Sequence, residues 1–311
     1  MKLKPLFELV VIMPFLDDTP SLNDLIAKLS NQISSFHLIV IDDGSIESFV
    51  DVGFLDNHVQ AWTQIKLNRN SGAQRAIAVG LNYALNNFDF TRVLIMDCDG
   101  EDDPETVPGL LEFHGSLLPV PDICVVTRQD RDNSLTFKLL YQLYKLFFWT
   151  YTGKRMNFGH YSILTKEAVT RVINYPQLWI HLGSTYLLSR IPIVRYPLSK
   201  GKRYYGKSRL NLTYLIEMGL RSIVAQSEFV IPRVVLTASF LFTGFLTTSA
   251  LGIILGNKSL TIIAVVTFFL AQALIAITTL IMLLPVSRNS GEYNSANFQS
   301  LIRYVSNSTS I

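Results

Sequence analysis

The sequence predicts an α/β architecture, a mostly parallel sheet with helices on both faces, followed by a two-helix transmembrane hairpin. Three observations carry that expectation. Short apolar runs at 9–13, 38–41, 65–67, 93–96 and 123–126 alternate with helical segments, the order that builds parallel sheets. Polar, turn-forming segments follow four of those runs, at 14–18, 42–45, 68–72 and 97–103, and ligands of such sheets bind at the carboxyl ends of strands. Finally, the 311 residues are 49% hydrophobic and only 16% charged, with a mean hydropathy of +0.30, and the apolar excess lies near the C-terminal end.

The run 93–96 reads as a buried strand, so Asp97 and Asp99 leave its end on one side. There they can share a hard divalent cation that also takes diphosphate oxygens. An acidic turn alone is most often merely solvated. Here it gains weight from the other polar segments converging on the same edge.

Residues 134–152 form a helix rich in large apolar and aromatic side chains. Its narrow polar face, Lys138 and Lys145, suits either a membrane interface or packing in the soluble core. Residues 210–229 form a second amphipathic helix, ended by Pro232. The next segment, 234–256, has 23 residues without a charge, and 260–284 has 25 whose strongest polar group is Gln272. At about 1.5 Å per residue, each crosses a hydrocarbon core of about 30 Å. The connection Asn257-Lys258-Ser259 is short, so the two helices form a hairpin with both ends on one side. Arg221, Arg233, Arg288 and Arg303 flank it against Lys258 in the turn, which favours an N-terminal domain and both termini in the cytoplasm.

The expected organisation is a soluble domain over 1–209, a juxtamembrane helix over 210–232, a hairpin over 233–286 and a cytoplasmic tail over 287–311. No signal peptide is read in residues 1–13, whose apolar run is broken by Glu8 and followed by Pro14. Cys98 and Cys124 read as reduced, buried residues without zinc-ligand spacing. A net charge of +3 without an aromatic–basic repeat argues against nucleic acid. Two helices without intramembrane charge argue against a pore.

Five motifs carry the chemistry: Pro14-Phe15-Leu16-Asp17-Asp18, Asp42-Asp43-Gly44-Ser45, the 70–76 segment with Gly80, Asp97-Cys98-Asp99, and the basic 200–209 run. In order and spacing they resemble family 2 glycosyltransferases with a GT-A fold, of the polyprenyl-phosphate branch that includes dolichol-phosphate mannose synthase. The resemblance covers about residues 8–232. It implies that Pro14 and Asp18 line the nucleotide pocket and that Asp43 receives the base or ribose. It further implies that Arg75 supports phosphate charge beside free amides at a helix start. Asp97 and Asp99 would hold Mg²⁺ or Mn²⁺, with Glu101 joining or crowding the ion. Arg128 and Arg131 would bind the lipid phosphate, although Asp130 and Asp132 alternate with them as in a solvated loop. Lys207 would lie in a loop that closes over the diphosphate.

One departure concerns the acceptor. Where the branch reads Gly-Asp-Phe-Arg-Leu, this chain reads Gly159-His160-Tyr161-Ser162-Ile163, so the usual Asp and Arg are replaced by His160 and Ser162. Neutral His160 could serve as the base toward a sugar hydroxyl.

The resemblance therefore implies a membrane-anchored, metal-dependent inverting glycosyltransferase, with Asp99, His160 and Arg128 as its catalytic residues. It would move a sugar from a UDP- or GDP-linked donor to polyprenyl phosphate, or alternatively to a sugar hydroxyl of a lipid-linked envelope glycan. A non-catalytic nucleotide-sugar-binding membrane protein is a reading of a different class. Self-association is left open.

Overall fold

The computed structural model describes residues 4–46, 50–128, 135–206, 212–288 and 293–308. Two compact units emerge. One comprises Met1–Leu135, Met156–Leu215 and Gly291–Ile311, and the other Thr136–Arg155 and Ile216–Ser290.

The first unit begins with strict alternation: β1 (Leu6–Phe15), α1 (Thr19–Gln32), β2 (His37–Asp42), α2 (Val52–His58), β3 (Ala61–Leu67), α3 (Ala73–Asn87) and β4 (Asp89–Ile95). β1 pairs in parallel with both β2 and β4, and β2 pairs in parallel with β3. Residues 9–13 and 38–41 are buried, because helices cover both faces and leave no side of these strands for polar residues. Gly80 lets α3 approach the sheet closely, since a Cβ there would lie 2.9 Å from side-chain atoms of Ile12 and Ile41.

Next come α4 (Val107–Ser116), β5 (Ile123–Arg128), α5 (Leu135–Thr152), β6 (Ser162–Thr165), α6 (Lys166–Val172), α7 (Leu182–Ser189) and β7 (Ile193–Leu198). The C-terminal part contains α8 (Leu212–Val224), α9 (Ser227–Ile254), α10 (Lys258–Arg288) and β8 (Ile302–Asn307). The sheet has eight strands in the order β7-β5-β6-β4-β1-β2-β3-β8. It departs from simple parallel succession twice. β6 runs antiparallel between β4 and β5, and β8 runs antiparallel along β3. The Ser/Asn-rich tail, for which the sequence predicts no element, thus covers the otherwise unpaired edge of β3.

In the second unit α5 groups with α8, and the Tyr144 hydroxyl lies 2.7 Å from Ser222 Oγ. The helix end expected at Pro232 falls earlier. The break comes at Gln226, the N-cap of α9, and Pro232 lies inside α9. A proline there removes one N–H bond, the one toward the Glu228 carbonyl, and the helix continues past that single gap. Ser227–Ile254 and Lys258–Thr278 are long and apolar enough to cross a membrane. Gly256, at φ +61°, turns the chain between them, and Asn257 Oδ1 caps α10 by accepting from Ser259 N at 2.9 Å. Small buried residues, Ala238, Ala264 and Ala271, lie where the helices pack.

Candidate active site

Strand register assembles the site. Ile95 of β4 stands opposite Ser162 of β6, so two residues beyond each, Asp97 and His160 meet. His160 Nδ1 lies 3.8 Å from Asp97 Oδ1. β5 ends at Arg128, which is in register with Leu198 of β7, so the segment after β7 leaves the sheet beside Arg128.

That segment forms a strap over the acidic turn. Gly201 N donates to the Glu101 carbonyl at 3.0 Å and Tyr204 N to the Asp99 carbonyl at 2.9 Å. Its far side is tied to α1, where Lys28 Nζ sits 3.9 Å from the centre of the Tyr204 ring and Tyr205 donates to Asp24 at 2.8 Å. The turn beneath is shaped by its own carboxylates. Asp97 N donates to Asp102 Oδ2 and Glu101 N to Asp99 Oδ1, both at 2.9 Å, with Gly100 in the left-handed region at φ +89°.

Cations crowd onto these carboxylates. Arg203 pairs with Asp99 and approaches Glu101 at 3.6 Å, Lys200 pairs with Glu101 at 2.8 Å, and Arg128 pairs with Asp102 at 2.7 Å. Arg128, expected to await a lipid phosphate, is therefore already oriented by the buried Asp102, which the sequence reading left out. An acidic run offers no way to tell which member turns inward, so Asp102 was invisible until β5 placed Arg128 against it.

The electrostatics follow from this packing. Burial pushes the Asp99 carboxyl up and the Asp97 charge beside it pushes it further. Asp97 is raised by burial, but the imidazole of His160 beside it and the charges of Arg128 and Arg203 outweigh that and leave it below its ordinary value. His160 moves the opposite way. Burial favours the neutral ring, yet the Asp97 carboxylate beside it, helped by Asp102, holds its pKa above the usual imidazole value. Asp102 is pushed up to about 7, chiefly by burial.

A carboxylate whose ionisation is made costlier by burial and by a second carboxylate beside it at a strand end suits a hard divalent cation, so Asp97 and Asp99 fit the expected metal. Glu101, expected to join or crowd that ion, is turned toward Lys200 at 2.8 Å and Arg128 at 3.5 Å. The cationic strap competes for it.

At the other end of the edge, both Asp43 oxygens accept backbone amides, Ser71 N and Gly72 N, each at 2.7 Å. The amides expected to be free at the start of α3 are thus used by Asp43, whose burial demands donors. Burial raises its pKa to about 6 despite those bonds. Gly44, at φ +81°, lies so close to Arg69 and Asn70 that a Cβ would sit 2.5 Å from the Arg69 carbonyl carbon. Pro14 lies near the end of β1 opposite Ile41, and Asp18 stands at the N-cap of α1 without a side-chain capping bond. The tie between the two loops is made by Asp17 instead: its amide donates to Ser45 Oγ at 2.9 Å and its Oδ1 accepts from Ile46 N at 3.0 Å. Arg75 donates to the Ser71 carbonyl at 3.2 Å and lies 3.9 Å over the ring of Tyr293. Arg131 and Lys207 lie outside the described residues.

The model of glycosyl transferase family 2 matches residues 10–173. Undecaprenyl-phosphate 4-deoxy-4-formamido-L-arabinose transferases of Salmonella paratyphi B and Salmonella newport are 27% identical over 228 residues, 69% of this chain and 66% of theirs. The chain thus matches just under two thirds of the length of those relatives. The fold is shared with glucosyl-3-phosphoglycerate synthase from Mycobacterium tuberculosis, solved with Mn²⁺, uridine diphosphate and glucosyl-3-phosphoglycerate. That likeness has a TM-score of 0.51 at 14% identity, over 72% of this chain and 80% of that one. The same enzyme with Mn²⁺ and UDP-glucose gives a TM-score of 0.51 at 12% identity, over 72% and 79%. With a family match over more than half of its length and a GT-A sheet beneath an Asp-x-Asp turn, the chain belongs to glycosyl transferase family 2.

Proposed function

We propose that this protein is a membrane-anchored glycosyltransferase that moves a sugar from a nucleoside-diphosphate donor to polyprenyl phosphate, with inversion. The observation that carries this reading is the ring of Arg128, Lys200 and Arg203, paired with Asp102, Glu101 and Asp99 of the turn that also carries Asp97, at one sheet edge. Carboxylates able to hold a divalent ion, ringed by cations, suit a donor diphosphate beside a second phosphate. Mg²⁺ or Mn²⁺ held by Asp97 and Asp99 would neutralise charge on the departing nucleoside diphosphate. The Mn²⁺ and UDP-glucose of the structural relative support that role and a uridine donor.

The chain's own groups do the remaining work. Asp43 pins the loop before α3 beside the nucleotide, Lys200 and Arg203 exchange their carboxylate partners for diphosphate oxygens, and Arg128, aimed by Asp102, receives the acceptor phosphate. Arg131 and Lys207 are assigned by resemblance to the acceptor and donor phosphates. A phosphate acceptor is already ionised at neutral pH and attacks without a base. That suits His160, whose ring faces Asp97 at 3.8 Å, a pairing that raises its pKa and works against its use as the base a sugar-hydroxyl acceptor requires. The name of the Salmonella relatives supports the same acceptor class. The two apolar helices supply the anchor, with the catalytic domain and both termini cytoplasmic by the charge bias.

Purified protein in detergent, incubated with Mn²⁺, a panel of UDP- and GDP-sugars and either polyprenyl phosphate or a lipid-linked disaccharide, tests the reading. A glycosylated polyprenyl phosphate is expected. A product formed only on the disaccharide would replace the acceptor, and neither transfer nor donor hydrolysis would indicate a non-catalytic binder.

A further inference from the structure

The loop between β3 and α3 is held from two sides. On one side Asp43 accepts Ser71 N and Gly72 N. On the other stands the segment that follows α10. The Asn68 amide donates to the Leu301 carbonyl at 2.9 Å, and Asn68 Nδ2 donates to the Ser300 carbonyl at 2.8 Å. Arg69 Nη2 donates to the Tyr293 hydroxyl at 3.1 Å, and the Arg75 guanidinium lies 3.9 Å over the Tyr293 ring. The Tyr293 ring is backed by Trp179, centre to centre 6.4 Å away. The segment itself is anchored by Ser295 donating to the Ile173 carbonyl at 2.7 Å, by buried Phe298 and Leu301, and by the pairing of β8 with β3.

A guanidinium has many rotamers, and a ring face against one side of it removes most of them while leaving its N–H edge available to an anion or a base. We infer that Tyr293 is a positioning residue of the donor site: it fixes Arg69 and Arg75 so that the loop 68–75 presents one arrangement to the nucleotide. The inference rests on the donor reading of Asp43 and Arg75. It assigns to the chain beyond the membrane hairpin a part in nucleotide binding, where the sequence shows only a polar tail.

Two substitutions separate this role from general stability. Tyr293→Leu removes the ring face and the hydroxyl, whereas Tyr293→Phe keeps the face and drops only the bond to Arg69. Full-length protein in detergent would be titrated with UDP and with GDP in the presence of Mn²⁺, and donor KM, acceptor KM and kcat would be measured with polyprenyl phosphate. Tyr293→Leu is expected to weaken binding of the preferred nucleotide, and to raise donor KM, by about tenfold, with acceptor KM unchanged. Tyr293→Phe is expected to stay within about threefold of the parent. Equal nucleotide affinity for Tyr293→Leu and the parent, while Arg75→Ala binds less tightly, would overturn the role of Tyr293 alone. Unchanged affinity in Arg75→Ala and Asp43→Asn as well would overturn the donor reading and the inference with it. A Tyr293→Leu protein with a lowered Tm that binds nucleotide normally would count against the inference. Equal loss in Tyr293→Phe and Tyr293→Leu would do the same for the ring face.

Discussion

His160 Nδ1 stands 3.8 Å from Asp97 Oδ1, so the residue that replaces the family's usual carboxylate is bound electrostatically to a predicted metal-holding carboxylate. A phosphate acceptor needs no base, and the pairing lowers the pKa of Asp97 and raises that of His160, a direction that works against proton acceptance by the ring. With polyprenyl phosphate, His160→Ala should therefore lower kcat by less than about tenfold. A loss of about 10² or more, the size expected on removing a general base, with Mn²⁺ affinity unchanged, would restore His160 as the base.

Asp99→Asn should retain the fold and lose transfer. The substitution keeps the Asx-type bond to Glu101 N but removes the charge that pairs with Arg203 and that would meet the cation. A loss of several kcal/mol of transition-state stabilisation corresponds to a rate reduction on the order of 10³. EDTA should abolish the parent activity. Matching turnover of mutant and parent at saturating Mn²⁺ would remove Asp99 from the metal site.

Asp102→Ala leaves Arg128 without its 2.7 Å partner and the Asp97 amide without its acceptor. Arg128 is partly exposed and keeps Glu101 at 3.5 Å, so the cost is about 1–3 kcal/mol, visible as a lower denaturation midpoint. Asp102→Asn, which preserves the shape, should be milder and should raise the KM for polyprenyl phosphate more than that for the donor. Equal shifts in both would argue that Asp102 serves the whole turn and not Arg128.

Nucleotide affinity should fall as pH drops through about 6. Asp43 has its pKa raised to about that value by burial, so it is ionised above pH 6 and able to accept both Ser71 N and Gly72 N, and it loses acceptor capacity on protonation below. Asp43→Asn should bind weakly and flatten this limb of the profile. An unchanged pH dependence in that variant would assign the limb to another group.

Topology is expected to follow the arginine bias. A tag inserted at Asn257, in the turn between α9 and α10, should be reached from outside intact cells. Arg303→Cys, at an exposed position of β8, should be labelled only after permeabilisation. The reverse pattern would invert the anchor.

The sequence by itself determined the parallel core, the acidic turn and the apolar hairpin, because each is written in local pattern. Continuous apolar runs identify strands covered on both faces, carboxylates at a strand end mark the acidic turn, and stretches of 23 and 25 uncharged residues mark helices long and apolar enough to cross a membrane. Only the tertiary structure decided which partners meet. β6 is four residues long, too short to announce itself, yet its antiparallel register sets His160 beside Asp97. Asp102 is one of several carboxylates in a row and becomes the partner of Arg128 only when β5 ends beside it. β8 carries little hydrophobic alternation, since one face is largely exposed, and it forms because the edge of β3 supplies the missing hydrogen bonds. That pairing, hundreds of residues apart in sequence, brings Tyr293 to Arg75. Local pattern sets what each segment can be, whereas long-range register sets what each side chain touches.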